Sequence, residues 1–367
     1  MKRKIAFFIT NLEGGGAEKV LVDIVNSINA DKFDITLVLL KKKGVHLNKV
    51  RKDITIKNIF SSNRILGAMS YRFLRYLPKI YYKLKIKEKY DVEVAFLEGL
   101  PTKLISASNN IHSKKIAWVH IDLIKEHWTK KYYDSINDEK ESYKKFNEII
   151  FVSEDSKQAF NKLFSNLNIK ERVIYNPILI DDVIEKSKER NVKFEEFTII
   201  SVGRLHKQKG FYRLIKVHSE LCKKYPHKLI ILGEGPERNK LENEIKELGV
   251  KNSVELKGFV SNPYPYIKAA DLYISSSISE GHPLVILEAV ALEKAIIGTR
   301  ISGTREILKD GECGILCEST EDGIKQALEY VLSNDNVIKK LENKSKKRKK
   351  DFNYRENIRE IERLLEE

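Results

Sequence analysis

Residues 197–223 read FTIISVGRLHKQKGFYRLIKVHSELCK. An apolar run over 197–202 has the make-up of a buried strand. A loop carrying glycine and bases follows, and from Gly210 the chain reads as a helix to about 223. The same alternation continues downstream, with a strand over 228–232, a helix over 239–248, and strands over 254–257, 272–275 and 295–298. It also runs upstream. Residues 4–10 form a strand, 17–28 a helix and 33–40 a strand, and 92–97, 115–119 and 148–152 continue the series. Strands separated by helices call for a parallel sheet covered on both faces. The expected class is α/β, with two doubly wound domains in tandem.

Length suits that division, since 367 residues exceed one ordinary domain. The first domain is expected over 1–178 and the second over 196–345. Asn176-Pro177 gives a turn signal, and the charged stretch to 196 shows little core pattern. The end of the chain, 346–367, reads as a helix packing back on the first domain, with Ile358, Ile361, Leu364 and Leu365 at helical spacing. The basic run 344–350 reads as a solvated helix face. No stretch approaches the length of a membrane-spanning helix. Residues 5–9 are a first strand, because a glycine loop and not a cleavage site follows them. Three scattered cysteines, Cys222, Cys313 and Cys317, suit neither a disulfide scaffold nor a zinc site, and they fit a reducing cytoplasm.

The net charge of +15 is unevenly spread: residues 1–180 carry 33 Lys and Arg against 20 Asp and Glu, and the remainder is nearly balanced. A nucleic-acid binder, a protein on an anionic membrane, or a lysine-rich genome would each produce this.

Three strand-to-helix junctions carry chemistry. Asn11-Leu12-Glu13-Gly14-Gly15-Gly16-Ala17-Glu18 departs from the dinucleotide fingerprint, and it could be a close-approach loop or merely a tight turn. Gly203-Arg204-Leu205-His206-Lys207-Gln208-Lys209-Gly210 places Arg204 and Lys209 after a strand, where bases could face a diphosphate or simply solvent. Ser279-Glu280-Gly281-His282-Pro283-Leu284-Val285-Ile286-Leu287-Glu288 joins a glycine turn to a helix opened by Pro283. The opening N–H groups of that helix would point at whatever sits beside them, with Glu280 just before it and Glu288 about two turns on.

These residues resemble retaining glycosyltransferase family 4. The likeness rests on Glu280 and Glu288 with seven residues between them, on the glycine loop Gly14-Gly15-Gly16, and on Gly203-Arg204 with Lys209-Gly210. Leu232-Gly233-Glu234-Gly235-Pro236, Leu256-Lys257-Gly258-Phe259-Val260, Ser302-Gly303-Thr304-Arg305-Glu306-Ile307 and Asp310-Gly311-Glu312-Cys313-Gly314 add to it. The likeness spans nearly the whole chain, strongest over 199–316 and thin over 41–110. It implies a GT-B fold, two Rossmann-like domains facing an inter-domain cleft. It implies a retaining, metal-independent transfer of a hexose or N-acetylhexosamine, with a nucleotide sugar, UDP foremost, as donor and no cofactor. Arg204 and Lys209 would bind the diphosphate with the amides near Pro283, Leu284 and Val285, together with Gly281 and His282. Glu288 would bind ribose and Glu280 the donor sugar. Gly258 and Phe259 would border the base, and Gly15, Gly16 and Gly203 would let backbone approach the donor. His120, in Trp118-Val119-His120-Ile121-Asp122, matches the family's histidine facing that sugar.

Segment 64–89 holds eight bases and one acid, Glu88. Phe73, Leu77, Ile80, Tyr81 and Leu84 fall at helical spacing, Arg72, Arg75, Lys79 and Lys83 line another face, and Pro78 marks a break. Such a segment either packs on the sheet or docks on anionic lipid. The resemblance favours lipid, because the family often serves lipid-linked saccharide acceptors in capsule, O-antigen or exopolysaccharide synthesis. The expected place is the cytoplasm, peripheral on the inner face of the membrane, with no nucleic-acid partner. Two other readings stay open: a GT-B epimerase acting on nucleotide sugar without an acceptor, and a non-enzymatic binder of anionic surfaces.

Overall fold

The computed structural model describes residues 2–61, 63–334 and 336–367. Met1, Ser62, Asp335 and the Arg64 side chain, all within the segments delimited above, lie outside the described residues. The chain divides into two compact units, Met1–Pro177 with Arg355–Glu367, and Ile178–Tyr354.

The first unit holds seven strands: β1 (Arg3–Ile9), β2 (Phe33–Leu39), β3 (Thr55–Asn58), β4 (Val92–Ala95), β5 (Lys114–Val119), β6 (Glu148–Phe151) and β7 (Lys170–Val173). They form one parallel sheet in the order β3-β2-β1-β4-β5-β6-β7. β1, β4 and β6 are buried along most of their length, as strands with helices on both faces must be. The C-terminal helix Tyr354–Glu366 belongs to this unit. Ile361, Leu364 and Leu365 are fully buried. Glu366 pairs with Lys32 at 2.8 Å, and Glu367 with Lys170 at 2.7 Å and Arg172 at 3.0 Å.

The second unit holds β8 (Thr198–Val202), β9 (Lys228–Leu232), β10 (Val254–Gly258), β11 (Leu272–Ser275), β12 (Ala295–Thr299) and β13 (Ile315–Cys317). They form a six-stranded parallel sheet in the order β10-β9-β8-β11-β12-β13. Each sheet reverses its winding once, between β1 and β4 in the first unit and between β8 and β11 in the second. Ligands of open α/β sheets bind outside the carboxyl ends of the strands at such a reversal.

Three expectations need correction. Residues 178–196 are no mere connector, since the helix Ile180–Lys186 buries Val183 and packs on the helices Tyr264–Ala269 and Leu284–Ala291. The basic run 344–350 is only partly solvated. It closes the helix Val337–Lys349, where the Arg348 guanidinium donates to the carbonyls of Ile307 (2.8 Å) and Glu306 (3.2 Å). Segment 64–89 forms two helices, Arg64–Tyr76 and Pro78–Lys85, broken at Pro78 as the sequence predicts. Its apolar residues do not share one fate. Tyr81 is buried and Phe73 packs on the core, whereas Leu77, Ile80 and Leu84 are exposed together with Ile65, Leu66, Met69 and Tyr76.

Candidate active site

The loops that leave β8 and β11 flank the reversal of the second sheet, and side chains cross-link them. Gln208 Nε2 donates to the Ser279 carbonyl at 2.9 Å, and the Ile278 amide to the Gln208 carbonyl at 2.7 Å. Ser276 Oγ donates to the Lys209 carbonyl at 2.8 Å. Gly210 sits at φ +66°, and a Cβ there would stand 2.2 Å from the Ser276 carbonyl oxygen. Only glycine allows both the turn and the approach.

This frame holds a charged pair. Lys209 Nζ binds Glu280 Oε1, and Ser277 Oγ donates to the same oxygen at 2.9 Å. Both side chains are mostly buried, at 18% and 14% exposure. The Lys209 stem runs over Gly203, whose absent Cβ would lie 3.1 Å from Lys209 Cε. Arg204 points to solvent, and its guanidinium has no hydrogen bond or ion pair among the described residues. Two bases thus stand at one strand end, one held by a carboxylate and one uncommitted.

The helix Leu284–Ala291 begins beside them. Pro283 stands at its N-cap, one position before the first helical residue expected for it, and the first turn has neither a side-chain cap nor an acid. Among the described residues, the Leu284 and Val285 amides have no acceptor. Free N–H groups and the positive dipole end make this a place for an anion. Glu288, buried in the same helix, accepts from Tyr264 Oη at 3.0 Å. Burial, then the charges of Glu288 and Glu280, hold the Tyr273 phenol well above its ordinary range, so it is neutral. Glu280 and Glu288 therefore have separate anchors. Burial pushes the His282 imidazole down to about 3, helped by the Arg348 charge, so it is neutral. Gly303 lets its backbone pass over Gly281, where a Cβ would meet the carbonyl at 1.9 Å. Gly258, at φ +82°, ends β10, and Phe259 beside it is 58% exposed.

In the first unit, Gly15 caps the helix Gly16–Ser27 after β1. Glu18 folds its carboxylate over that start, so close that a Cβ on Gly15 would meet Oε2 at 2.1 Å. Unlike the Leu284 helix, this one already carries an anion at its N-terminus. No atom within 4 Å would oppose a Cβ on Gly16. His120 follows β5. Burial pushes its imidazole down to about 3, and the Phe96 carbonyl is its hydrogen-bond partner. Its Nε2 is buried without a partner. Its backbone amide donates to Glu98 Oε1.

Sequence reading did not single out Ser277, Tyr264, Tyr273 or Glu98. None stands in the quoted motifs: Ser277 lies just outside the third, Tyr264 reaches Glu288 from the neighbouring helix, and the pairing of strands brings Glu98 to His120.

The chain superposes on the Anabaena protein HepE, solved with UDP and glucose. The TM-score is 0.79 at 19% identity, covering 99% of each chain. Two parallel-sheet, Rossmann-like units are thus the GT-B class of fold. A family model described as glycosyl transferases group 1 matches residues 182–350. An uncharacterized glycosyltransferase of Methanocaldococcus jannaschii is 31% identical over 273 residues, covering 70% of this chain and 67% of that protein. The chain belongs to the glycosyltransferase group 1 family. It is also 29% identical, over 95% of its length and 96% of the relative's, to a Campylobacter jejuni enzyme. That enzyme is N-acetylgalactosamine-N,N'-diacetylbacillosaminyl-diphospho-undecaprenol 4-alpha-N-acetylgalactosaminyltransferase.

Proposed function

We propose that this glycosyltransferase is retaining and metal-independent. It moves a hexose or N-acetylhexosamine from a UDP-sugar to a lipid-linked saccharide in capsule, O-antigen or exopolysaccharide assembly, at the inner face of the cell membrane. The observation that carries the reading is the Lys209–Glu280 pair beside the uncapped Leu284–Ala291 helix at the reversal of the second sheet. In the transition state the bond from the anomeric carbon to the diphosphate oxygen breaks and negative charge builds on the diphosphate. Lys209, Arg204 and the Leu284 and Val285 amides stabilise that charge, which is the work a metal would otherwise do. Glu280 meets the sugar, Glu288 the ribose, and Phe259 borders the base. His120, neutral at physiological pH, accepts a hydrogen bond from the sugar. The acceptor oxygen bonds the anomeric carbon on the face the leaving group vacates, and its proton passes to the departing phosphate.

UDP is favoured because the similar HepE structure holds UDP and glucose. A lipid-linked acceptor is favoured by the Campylobacter relative, whose name specifies a diphospho-undecaprenol substrate. For the membrane, the exposed Ile65, Leu66, Met69, Leu77, Ile80 and Leu84 lie among the bases of 64–89, which suits shallow insertion into anionic lipid. No helix among the described residues is long and apolar enough to cross a membrane.

A donor screen read by nucleotide release, with lipid extract as acceptor, tests the proposal. Release of UDP that depends on extract is expected. Release without extract, with an isomerised sugar as product, would instead mark an epimerase. No release with any UDP-, GDP- or ADP-sugar would refute transfer.

A further inference from the structure

Glu98 follows β4 at the reversal of the first sheet and is 1% exposed. No lysine or arginine pairs with it among the described residues. A buried carboxyl without a cation is costly unless hydrogen bonds satisfy it. Those bonds come from backbone: the amides of His120 and Ile121, in the turn leaving β5, and its own. The same turn carries the His120 imidazole. That ring lies 4.8 Å from Phe96 and is stacked 6.4 Å from Trp118. The Phe96 carbonyl faces the ring, and Nε2 is buried without a partner.

We propose that Glu98 is a positioning residue for His120: by accepting the amides of the turn after β5, it holds the imidazole so that Nε2 can accept a hydrogen bond from a hydroxyl of the donor sugar. The inference rests on the glycosyl-transfer reading above.

The groups facing Glu98 give this role a pH signature. Glu139, on the helix Ile136–Tyr143, adds negative charge. It is bound in turn by His127 at 2.7 Å and Thr129 at 2.6 Å. The Tyr143 and Tyr133 phenols nearby are kept neutral by burial. Burial, with Glu139 assisting against the amide bonds, lifts Glu98 to about 7. The carboxylate accepts from the turn. A bound proton turns one oxygen into a donor facing N–H groups, and the turn loosens. Positioning is therefore complete above the neutral range and lost as pH falls through it.

The test is kcat across the neutral range for wild type, Glu98→Gln, His120→Ala and Glu98→Ala/His120→Ala, with donor KM recorded. Glutamine keeps one accepting oxygen and cannot titrate. Glu98→Gln should lower kcat about tenfold, as a small misplacement does, and abolish the inflection near 7 expected of wild type. The double variant should be no slower than His120→Ala, since Glu98 acts only through that ring. Stabilisation by UDP, a property of the second unit, and unchanged circular dichroism would show that the variants are folded. An inflection that persists in Glu98→Gln, or an additive loss in the double variant, overturns the assignment. Wild type inactive with every donor would instead defeat the function itself, and the assignment with it.

Discussion

Gly210 concentrates the demands of the site in one residue. Its φ of +66° and its contact with the Ser276 carbonyl bind the two loops that carry Lys209 and Glu280. Gly210→Ala must move one loop or the other. The expected loss is about 1–3 kcal/mol of stability, read as a lower denaturation midpoint of the second unit. Lys209→Ala acts differently. It leaves Glu280 with Ser277 alone and removes a cation from the developing diphosphate charge. The expected fall in kcat is about 10²–10³-fold, with some loss of stability as well, because Glu280 is left mostly buried without its cation. A loss confined to donor KM would show that Lys209 contributes binding but nothing specific to the transition state. Lys209 and Glu280 were legible as motif residues. Their union was not, because a spacing of 71 positions gives no hint that two side chains meet until β8 and β11 lie side by side.

At the scale of elements, the two units handle a helix N-terminus in opposite ways. Glu18 occupies the start of the Gly16–Ser27 helix, whereas the Leu284–Ala291 helix has no acid in its first turn. Adding one by Val285→Glu, at a half-buried position, should repel a diphosphate by about 0.3–1 kcal/mol. Calorimetry with UDP reads this as a two- to fivefold weaker Kd; unchanged affinity would place the diphosphate elsewhere. The helices over 64–85 give a second test. Ile80→Asp with Leu84→Asp changes only exposed positions, so folding should survive while flotation with anionic vesicles is lost. Flotation equal to wild type, or equal binding to neutral vesicles, would remove the membrane role. Periodicity revealed the central strands and the break at Pro78. It missed β3, β7 and β13, edge strands of three or four residues that are largely unburied. It also assigned Leu77, Ile80 and Leu84 to the same face as Tyr81, because spacing reports a stripe without saying what covers it.

Across the whole molecule, buried neutral histidines, His120 in the first unit among them, tie stability to pH. The second unit buries His218, His227 and His282, all pushed below the ordinary histidine value by burial. His218 Nδ1 and His227 Nε2 lie 2.9 Å apart, which requires at least one of the two to be neutral. The unfolded chain takes up protons below about 6.5, while the folded unit resists until about 3. Stability from these rings is full above that upper value and drains away as pH falls. The units can be followed separately. Both tryptophans, Trp118 and Trp128, lie in the first, and Cys222, Cys313 and Cys317 all lie in the second. Labelling of the buried Cys317 during urea unfolding should give a midpoint that drops on acidification, and a pH-independent midpoint would contradict the assignment. The central claim, that the reversal of the second sheet is a nucleotide-sugar site built around Lys209, is tested most directly by titrating UDP into wild type and Lys209→Ala. Saturable binding to wild type, weakened about tenfold or more by loss of a charge-assisted contact, is expected. Absence of binding to wild type, or equal affinity for both, would contradict it.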